Sequence, residues 1–350
     1  MILSKKKKVI VLQGSLFKYR NSLYTYLRNE YDLTLGYMHD NKLDDSYSFY
    51  KVPYKKLGSI FLPTKSFINY IKKFEVIIIM PDLHYINYCF LPFYFKDKHI
   101  ISWSIGMRAS YKLLYDTSRT KTVLDFFLMF IFRKCKANLF YYEWPLKFWG
   151  NLLDQKKIYI ATNTFEVEGR NFKTDRIKNS ILFVGSLIKG KGLEELLEAY
   201  YESEAYKKFK FIIIGEGILY KKIKDYINEK DLTTNVKLVG GIYELDNLKP
   251  YFEKSLLSIS PKQAGLSVII SFGFGVPFVT YKDAITGGER LNIINGYNGV
   301  LLKDKEDLKN FFMNLIVSDL VLMGKNATKY YEDKLNIKFM RKAFMEAINI

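Results

Sequence analysis

The stretch ILFVGSLIKGKGLEE, Ile181–Glu195, reads as a buried strand that stops at Gly185, a short basic loop with Lys189 and Lys191, and a helix opening near Gly192. Apolar residues at Leu193, Leu196, Leu197 and Tyr200 keep the i, i+3, i+4, i+7 spacing of one helix face. A second stretch repeats this grammar. SPKQAGLSVIISFGFGVPFVT, Ser260–Thr280, leaves a strand, passes the small residues Ala264 and Gly265, and enters an apolar helix closed by Gly275 and Pro277. Strands that alternate with helices in this way predict a parallel sheet covered on both faces. In such sheets ligands sit beyond the carboxyl ends of the strands, where both loops fall.

Outward from these stretches the same alternation continues. Strands are expected over Phe211–Ile214, Val236–Val239, Leu256–Ser260, Pro277–Thr280 and Val300–Leu302, with helices over Ile218–Asn228, Leu245–Glu253 and Leu266–Phe274. Toward the N-terminus, Val9–Leu12, Tyr31–Leu35, Phe74–Met80, His99–Ser104, Ala137–Tyr142 and Ile158–Ala161 read as strands, and Leu16–Arg28 and Thr122–Cys135 as helices. The polar, aperiodic run EVEGRNFKTDRIKN, 166–179, is the expected linker between an N-terminal domain, 1–165, and a C-terminal domain, 180–335; a last helix within 336–350 is expected to pack back toward the N-terminal domain. A length of 350 residues suits two domains with a core each.

Two cysteines and three scattered histidines supply neither a disulfide framework nor a metal centre, which points to a cytoplasmic chain without a metal. The longest apolar runs are too short or too interrupted to cross a bilayer, and no secretory signal is legible. The net charge of +18 is uneven: residues 1–165 carry 26 Lys and Arg against 12 Asp and Glu, leaving +4 for the rest. Such asymmetry marks a polyanionic partner for one half. The first half also mixes its cations with bulky aromatics, Phe126, Phe127, Phe130 and Trp144 among them, as in a patch that dips into anionic headgroups. A membrane surface is therefore expected rather than nucleic acid, for which no recognition signature is present. The plainer alternative places most of these aromatics in the core.

Unpaired N–H groups at a helix N-terminus, the positive end of its dipole and a nearby lysine make a site for a diphosphate. Lys191 before its helix and Gly265 before the next meet that description, the glycine allowing close backbone approach. A solvated basic loop is the alternative for Lys189 and Lys191.

Taken in order, GSLIKGKG (Gly185–Gly192), IGEG (Ile214–Gly217), NVKLVG (Asn235–Gly240) and GLSVIISFGFGVP (Gly265–Pro277) resemble family 4 glycosyltransferases, a surface-polysaccharide branch of these retaining enzymes. The resemblance covers about residues 180–302. It implies the GT-B fold: α/β, two Rossmann-like domains with parallel sheets facing a central cleft. It also implies transfer of a sugar from a nucleoside-diphosphate sugar, with retention, to a lipid-linked saccharide at the inner face of the plasma membrane, in capsule, O-antigen or exopolysaccharide synthesis. No cofactor or metal is implied, and retention in such enzymes does without the paired carboxylates of glycosidases.

By this resemblance Lys191 matches the family's phosphate-binding lysine, whereas Ser186 stands where its arginine would be. The family's two glutamates fall on Lys262 and Ile270, so neither carboxylate is present. Gly287-Gly288-Glu289 resembles a downstream G-P-E of some relatives; Glu289 either replaces a lost carboxylate or is an exposed loop glutamate. The donor would lie on Gly14, Gly185, Ser186, Lys189, Gly215, Gly217, Gln263, Ala264, Gly265, Leu266 and Ser267, with Lys191 and Glu289 in catalytic roles. Arg20, Asp82, His84, Trp103, Ser104 and Gly106 are acceptor-side candidates. Three rivals stand beside this reading: an inactive GT-B scaffold, a sugar-nucleotide epimerase, and a basic nucleic-acid-binding protein.

Overall fold

Two parallel sheets organise the chain. The computed structural model describes residues 6–109, 115–167 and 178–350; most of the expected linker, 168–177, lies outside them. One unit comprises Met1–Glu166 with Ile337–Ile350, the other Val167–Asn336.

The first unit contains β1 (Lys8–Leu12), β2 (Asp32–Tyr37), β3 (Ser48–Lys51), β4 (Tyr54–Leu57), β5 (Ile60–Pro63), β6 (Val76–Ile79), β7 (His99–Ser104), β8 (Ala137–Phe140) and β9 (Ile158–Ile160). Its seven-stranded sheet runs β3-β2-β1-β6-β7-β8-β9 with parallel pairing, and β4 and β5 form a separate antiparallel pair. The central strands are β-branched and covered on both faces: every residue of VIII in β6 is buried. The helix Ile337–Ile348 sets Met340, Phe344 and Ala347 into this core, Phe344 edge-on to Trp103 at 4.9 Å. Arg341 fastens the helix to Glu166 at 2.8 Å.

The helix Val123–Lys134 starts in a capping box of Thr122 and Asp125. Arg119 pairs with Asp125 at 2.7 Å. Burial works to raise the Asp125 pKa, but hydrogen bonds from Arg119 and Thr122 prevail and hold it at about 2. This anchoring faces inward. Val123, Leu124, Phe126, Phe127 and Phe130 of the same helix are exposed.

The second unit contains β10 (Ser180–Val184), β11 (Lys210–Ile214), β12 (Val236–Gly240), β13 (Ser255–Ile259), β14 (Phe278–Tyr281) and β15 (Gly299–Leu302), ordered β12-β11-β10-β13-β14-β15 and parallel. The chain winds outward from β10 through β11 to β12, then jumps back to β13 on the other side of β10. This reversal makes the β10/β13 boundary a topological switch point, and β1/β6 is its counterpart in the first unit.

The expected strands and helices appear within a few residues of their expected ends. β3, the β4–β5 pair and the helices Lys65–Ile71, Ile86–Cys89, Leu91–Tyr94, Trp144–Trp149, Lys305–Met313 and Val317–Tyr330 stand where no element was expected. Every residue of β4, YKKL, is exposed, so no buried face imposes an alternating pattern there.

Candidate functional site

In the second unit, the residues after β10, β11, β13 and β14 lie at one edge, because parallel strands end on the same side. β10 runs into Gly185, and β11 into Gly215-Glu216-Gly217. The backbones of these turns touch. A Cβ on Gly215 would collide with the Gly185 carbonyl, and one on Gly217 would stand 2.5 Å from the Leu187 oxygen. Leu187 N–H donates to the Glu216 carbonyl at 2.8 Å, and Leu219 N–H to that of Leu187 at 3.0 Å. Glycine is thus required by the close packing of two loops.

Lys191 lies in the short 3₁₀ turn Lys189–Lys191, after which Gly192 takes a left-handed conformation, φ 74°, and starts the helix Leu193–Glu202. This turn folds the lysine back over its strand, so that a Cβ on Gly185 would be 3.7 Å from Lys191 Nζ. The side chain is half-buried. Burial lowers its pKa, opposed by the negative charge of Glu289. Ser186 and Lys189, by contrast, are exposed.

The loop after β13 is tied to the same place. Lys262 N–H donates to the Lys191 carbonyl at 3.4 Å, and the Lys262 ammonium pairs with Glu195. Gln263 bridges Ile285, and Ala264 N–H donates to the Ile285 carbonyl at 2.9 Å, which draws in the loop after β14. The Gln263 side-chain oxygen is buried without a partner. Gly265 then opens the helix Leu266–Gly273 with no side-chain cap, and a Cβ there would meet open space. Leu266 and Ser267 follow in its first turn. Glu289 is buried, which removes the exposed-loop alternative; its Oε2 accepts from Gly287 N–H at 2.9 Å and Thr286 Oγ1 at 3.2 Å. Lys191, Gln263, the Gly265 helix start and Glu289 therefore come together around the switch point.

Residues 165–328 match the family described as Glycosyl transferases group 1. That match covers most of the second unit. Over 226 residues, 57% of this chain and 55% of the relative, the sequence is 28% identical to the uncharacterized glycosyltransferase MJ1069 of Methanocaldococcus jannaschii. Over 175 residues, 47% of each, it is 26% identical to the uncharacterized glycosyltransferase MJ1178 of that organism. The matches span about half the length of these curated relatives. The crystal structure of Anabaena Alr3699/HepE in complex with UDP has a TM-score of 0.70 at 11% identity, over 97% of this chain and 99% of that one. At that identity the likeness is one of fold, the GT-B arrangement of two parallel-sheet α/β domains.

Lys262 and Ile270, the positions that the resemblance aligns with glutamates, have distinct fates in the second unit. Lys262 is exposed and paired with Glu195, while Ile270 is buried within its helix. Glu216 and Tyr243, two further residues of the rim, were not among the site residues expected from sequence. Glu216 accepts from Gly241 N–H and from the Tyr243 hydroxyl, each at 3.3 Å, and so joins the ends of β11 and β12. An 860 Å³ groove in this domain runs by Lys237, Tyr243, Glu244 and Lys254, away from Lys191. Among the described residues, no group of three or more His, Cys, Asp or Glu could hold a metal ion.

The first-unit candidates gather at the carboxyl edge of the other sheet. Gly14 follows β1, and its carbonyl accepts from Met38 and His39 N–H. Asp82 and His84 follow β6, joined at 2.8 Å and exposed. Ser104 ends β7, its hydroxyl accepting from Gly106 N–H at 3.1 Å; the Gly106 carbonyl accepts from Trp149 at 2.6 Å. Trp103 packs in the hydrophobic core with its indole Nε1 left unpartnered. Arg20 lies over its ring, 4.0 Å from the centroid.

Proposed function

We propose that this chain transfers a sugar from a nucleoside-diphosphate sugar to a saccharide acceptor, with retention at the anomeric carbon. The observation that carries the reading is the meeting of Lys191 with the uncapped helix start at Gly265 across the switch point of a glycosyltransferase domain. As the glycosidic bond breaks, negative charge grows on the leaving diphosphate. A half-buried ammonium and fixed backbone N–H groups stabilise that charge in a preorganised way. They stand in for a metal ion, so turnover is expected to survive EDTA. Glu289 supplies a carboxylate where Lys262 and Ile270 do not.

The UDP held by the HepE structure makes UDP-sugars the first donors to try. Calorimetry with UDP, GDP and their sugars should find micromolar to millimolar binding to one nucleotide class. A folded protein that binds none of them would end the proposal. One observation favours a second reading, donor binding without turnover: both glutamate positions of the family carry other residues. Donor binding with no product from any acceptor, and no donor hydrolysis, would select it.

The acceptor is lipid-linked and met at an anionic membrane face in this proposal, with the chain a peripheral protein of the cytoplasmic side. Phe126, Phe127 and Phe130 are exposed on one helix whose last turn carries Arg133 and Lys134, and the short helix Leu91–Tyr94 packs beside it with Phe93 and Tyr94 exposed. Aromatics flanked by cations suit a headgroup layer. Among the described residues, no helix is long and apolar enough to cross a membrane.

A further inference from the structure

Arg20 is a partly buried cation with no carboxylate paired to it among the described residues. It precedes the helix Asn21–Glu30, beyond the carboxyl end of β1. Its guanidinium stacks on Trp103, 4.0 Å from the ring centroid, and donates through Nε to the Tyr19 hydroxyl at 2.8 Å and through Nη2 to the Tyr141 hydroxyl. Among the described residues no Asp or Glu forms an ion pair with it. Its Nη1 is buried with no hydrogen-bond partner, and so are the indole Nε1 of Trp103 and the hydroxyl of Tyr24.

Each of these facts points the same way. A buried charge is costly unless paired, and a stacked aromatic offsets only a small part of that cost. Guanidinium and indole N–H groups are donors only. Unsatisfied donors around a cation lack one thing, an anionic acceptor. A planar fork of N–H groups suits an oxyanion with two oxygens in reach. Trp103, at the end of β7, and Tyr141, just past β8, hold the fork at the carboxyl edge of the sheet, where parallel sheets take their ligands.

We propose that Arg20, with the indole N–H of Trp103 and the hydroxyl of Tyr24, binds an oxyanion carried by the acceptor, so that the acceptor saccharide is acidic. The oxyanion is a carboxylate or a phosphate ester. Its assignment to the acceptor rests on the transferase reading above; the anion site itself does not.

The test uses the full chain labelled with 15N. Three tryptophans give three indole N–H resonances, and Trp103→Phe assigns the one that matters. Glucuronate supplies the carboxylate, glucose 1-phosphate the phosphate ester, and glucose the neutral control. The Trp103 resonance should shift with at least one anion and not with glucose; which anion acts distinguishes the two sources. Arg20→Gln should abolish the shift, and Lys191→Ala should preserve it. If Arg20→Gln does not fold, Trp103→Phe, which keeps an aromatic face of smaller size and loses the donor, should weaken anion binding by calorimetry about threefold to tenfold. A Trp103 resonance that ignores both anions in folded protein that still binds a nucleoside diphosphate overturns the proposal and spares the transferase reading. An anion response without any nucleotide binding supports the site and removes the transferase reading instead.

Discussion

Lys191 and Arg20 occupy matching places in two parallel sheets, each beyond the first strand of its unit and beside a switch point. Their surroundings differ. Lys191 has glycine turns around it, the charge of Glu289 nearby and an uncapped helix start in the adjoining loop. Arg20 has rings and hydroxyls and, among the described residues, no paired carboxylate. A backbone cradle with a mobile ammonium suits a diphosphate, whose recognition needs many N–H donors and close approach. A fixed guanidinium braced by tyrosines suits a single oxyanion on an otherwise variable partner. On the proposed reading, one sheet takes a chemical group common to many donors and the other a feature of a particular acceptor.

Disrupting the cradle should do most. Gly215→Ala puts a methyl group into the Gly185 carbonyl, and the two turns must separate. A loss of about 3 kcal/mol in stability is expected, with UDP binding lost too, by denaturant titration and calorimetry. Gly58→Ala is no matched control for this effect, since its φ of 58° strains any side chain; Gly190→Ala, with open space at its Cβ and no left-handed φ, is. Unchanged stability in Gly215→Ala would show that the close approach is dispensable.

Next comes Lys191→Ala. A hydrogen bond to a charged group is worth about 1.5–3 kcal/mol, so UDP affinity should fall roughly 10–100-fold with turnover falling further. Wild-type kinetics would remove Lys191 from the site. The lowered Lys191 pKa also has a pH signature. The ammonium is lost as pH rises through that pKa, so UDP affinity should fall at a pH below the ordinary lysine range. In the same window the unfolded chain keeps a proton that the folded chain has lost, so Lys191 makes stability rise with pH there. Lys191→Met should flatten both trends.

Glu289→Gln should act less strongly. The residue keeps its place between Gly287 and Thr286 but loses the charge facing Lys191. Affinity for a UDP-sugar should fall severalfold, and equal affinity would end its role as a substitute carboxylate. The smallest effect belongs to the other unit. Phe127→Ser with Phe130→Ser should reduce binding to vesicles rich in anionic lipid about tenfold while leaving the melting temperature nearly unchanged, because both rings are about half exposed. Undiminished vesicle binding would return the patch to an ordinary surface.

Much of the fold can be read along the chain because the informative elements are buried on both faces. Val76–Ile79 or Ile181–Phe183 has no choice but to be a covered parallel strand, and glycine at 185, 215 and 217 marks where strands stop and loops crowd. The edge elements escaped for the opposite reason: β3 to β5 have little buried face, so their pairing leaves no periodic trace. The glycine turns around Lys191 were legible for the same reason as the strands. Backbone cradles demand glycine at set offsets from strand ends, and a lysine before a helix is a local pattern.

What the linear order of residues determined, then, was the layering, the winding and the turns that crowd around Lys191, since each follows from local pattern and from burial on two faces. The tertiary structure alone decided that Glu289, 98 positions past Lys191, is buried and acts on its charge. It alone set Arg20 on Trp103 and against Tyr141, with donors left over and no paired carboxylate among the described residues. Side chains that far apart in the chain meet only through the order of the strands that carry them, and pairing charge with charge, or leaving it unpaired, is a property of that meeting rather than of either residue.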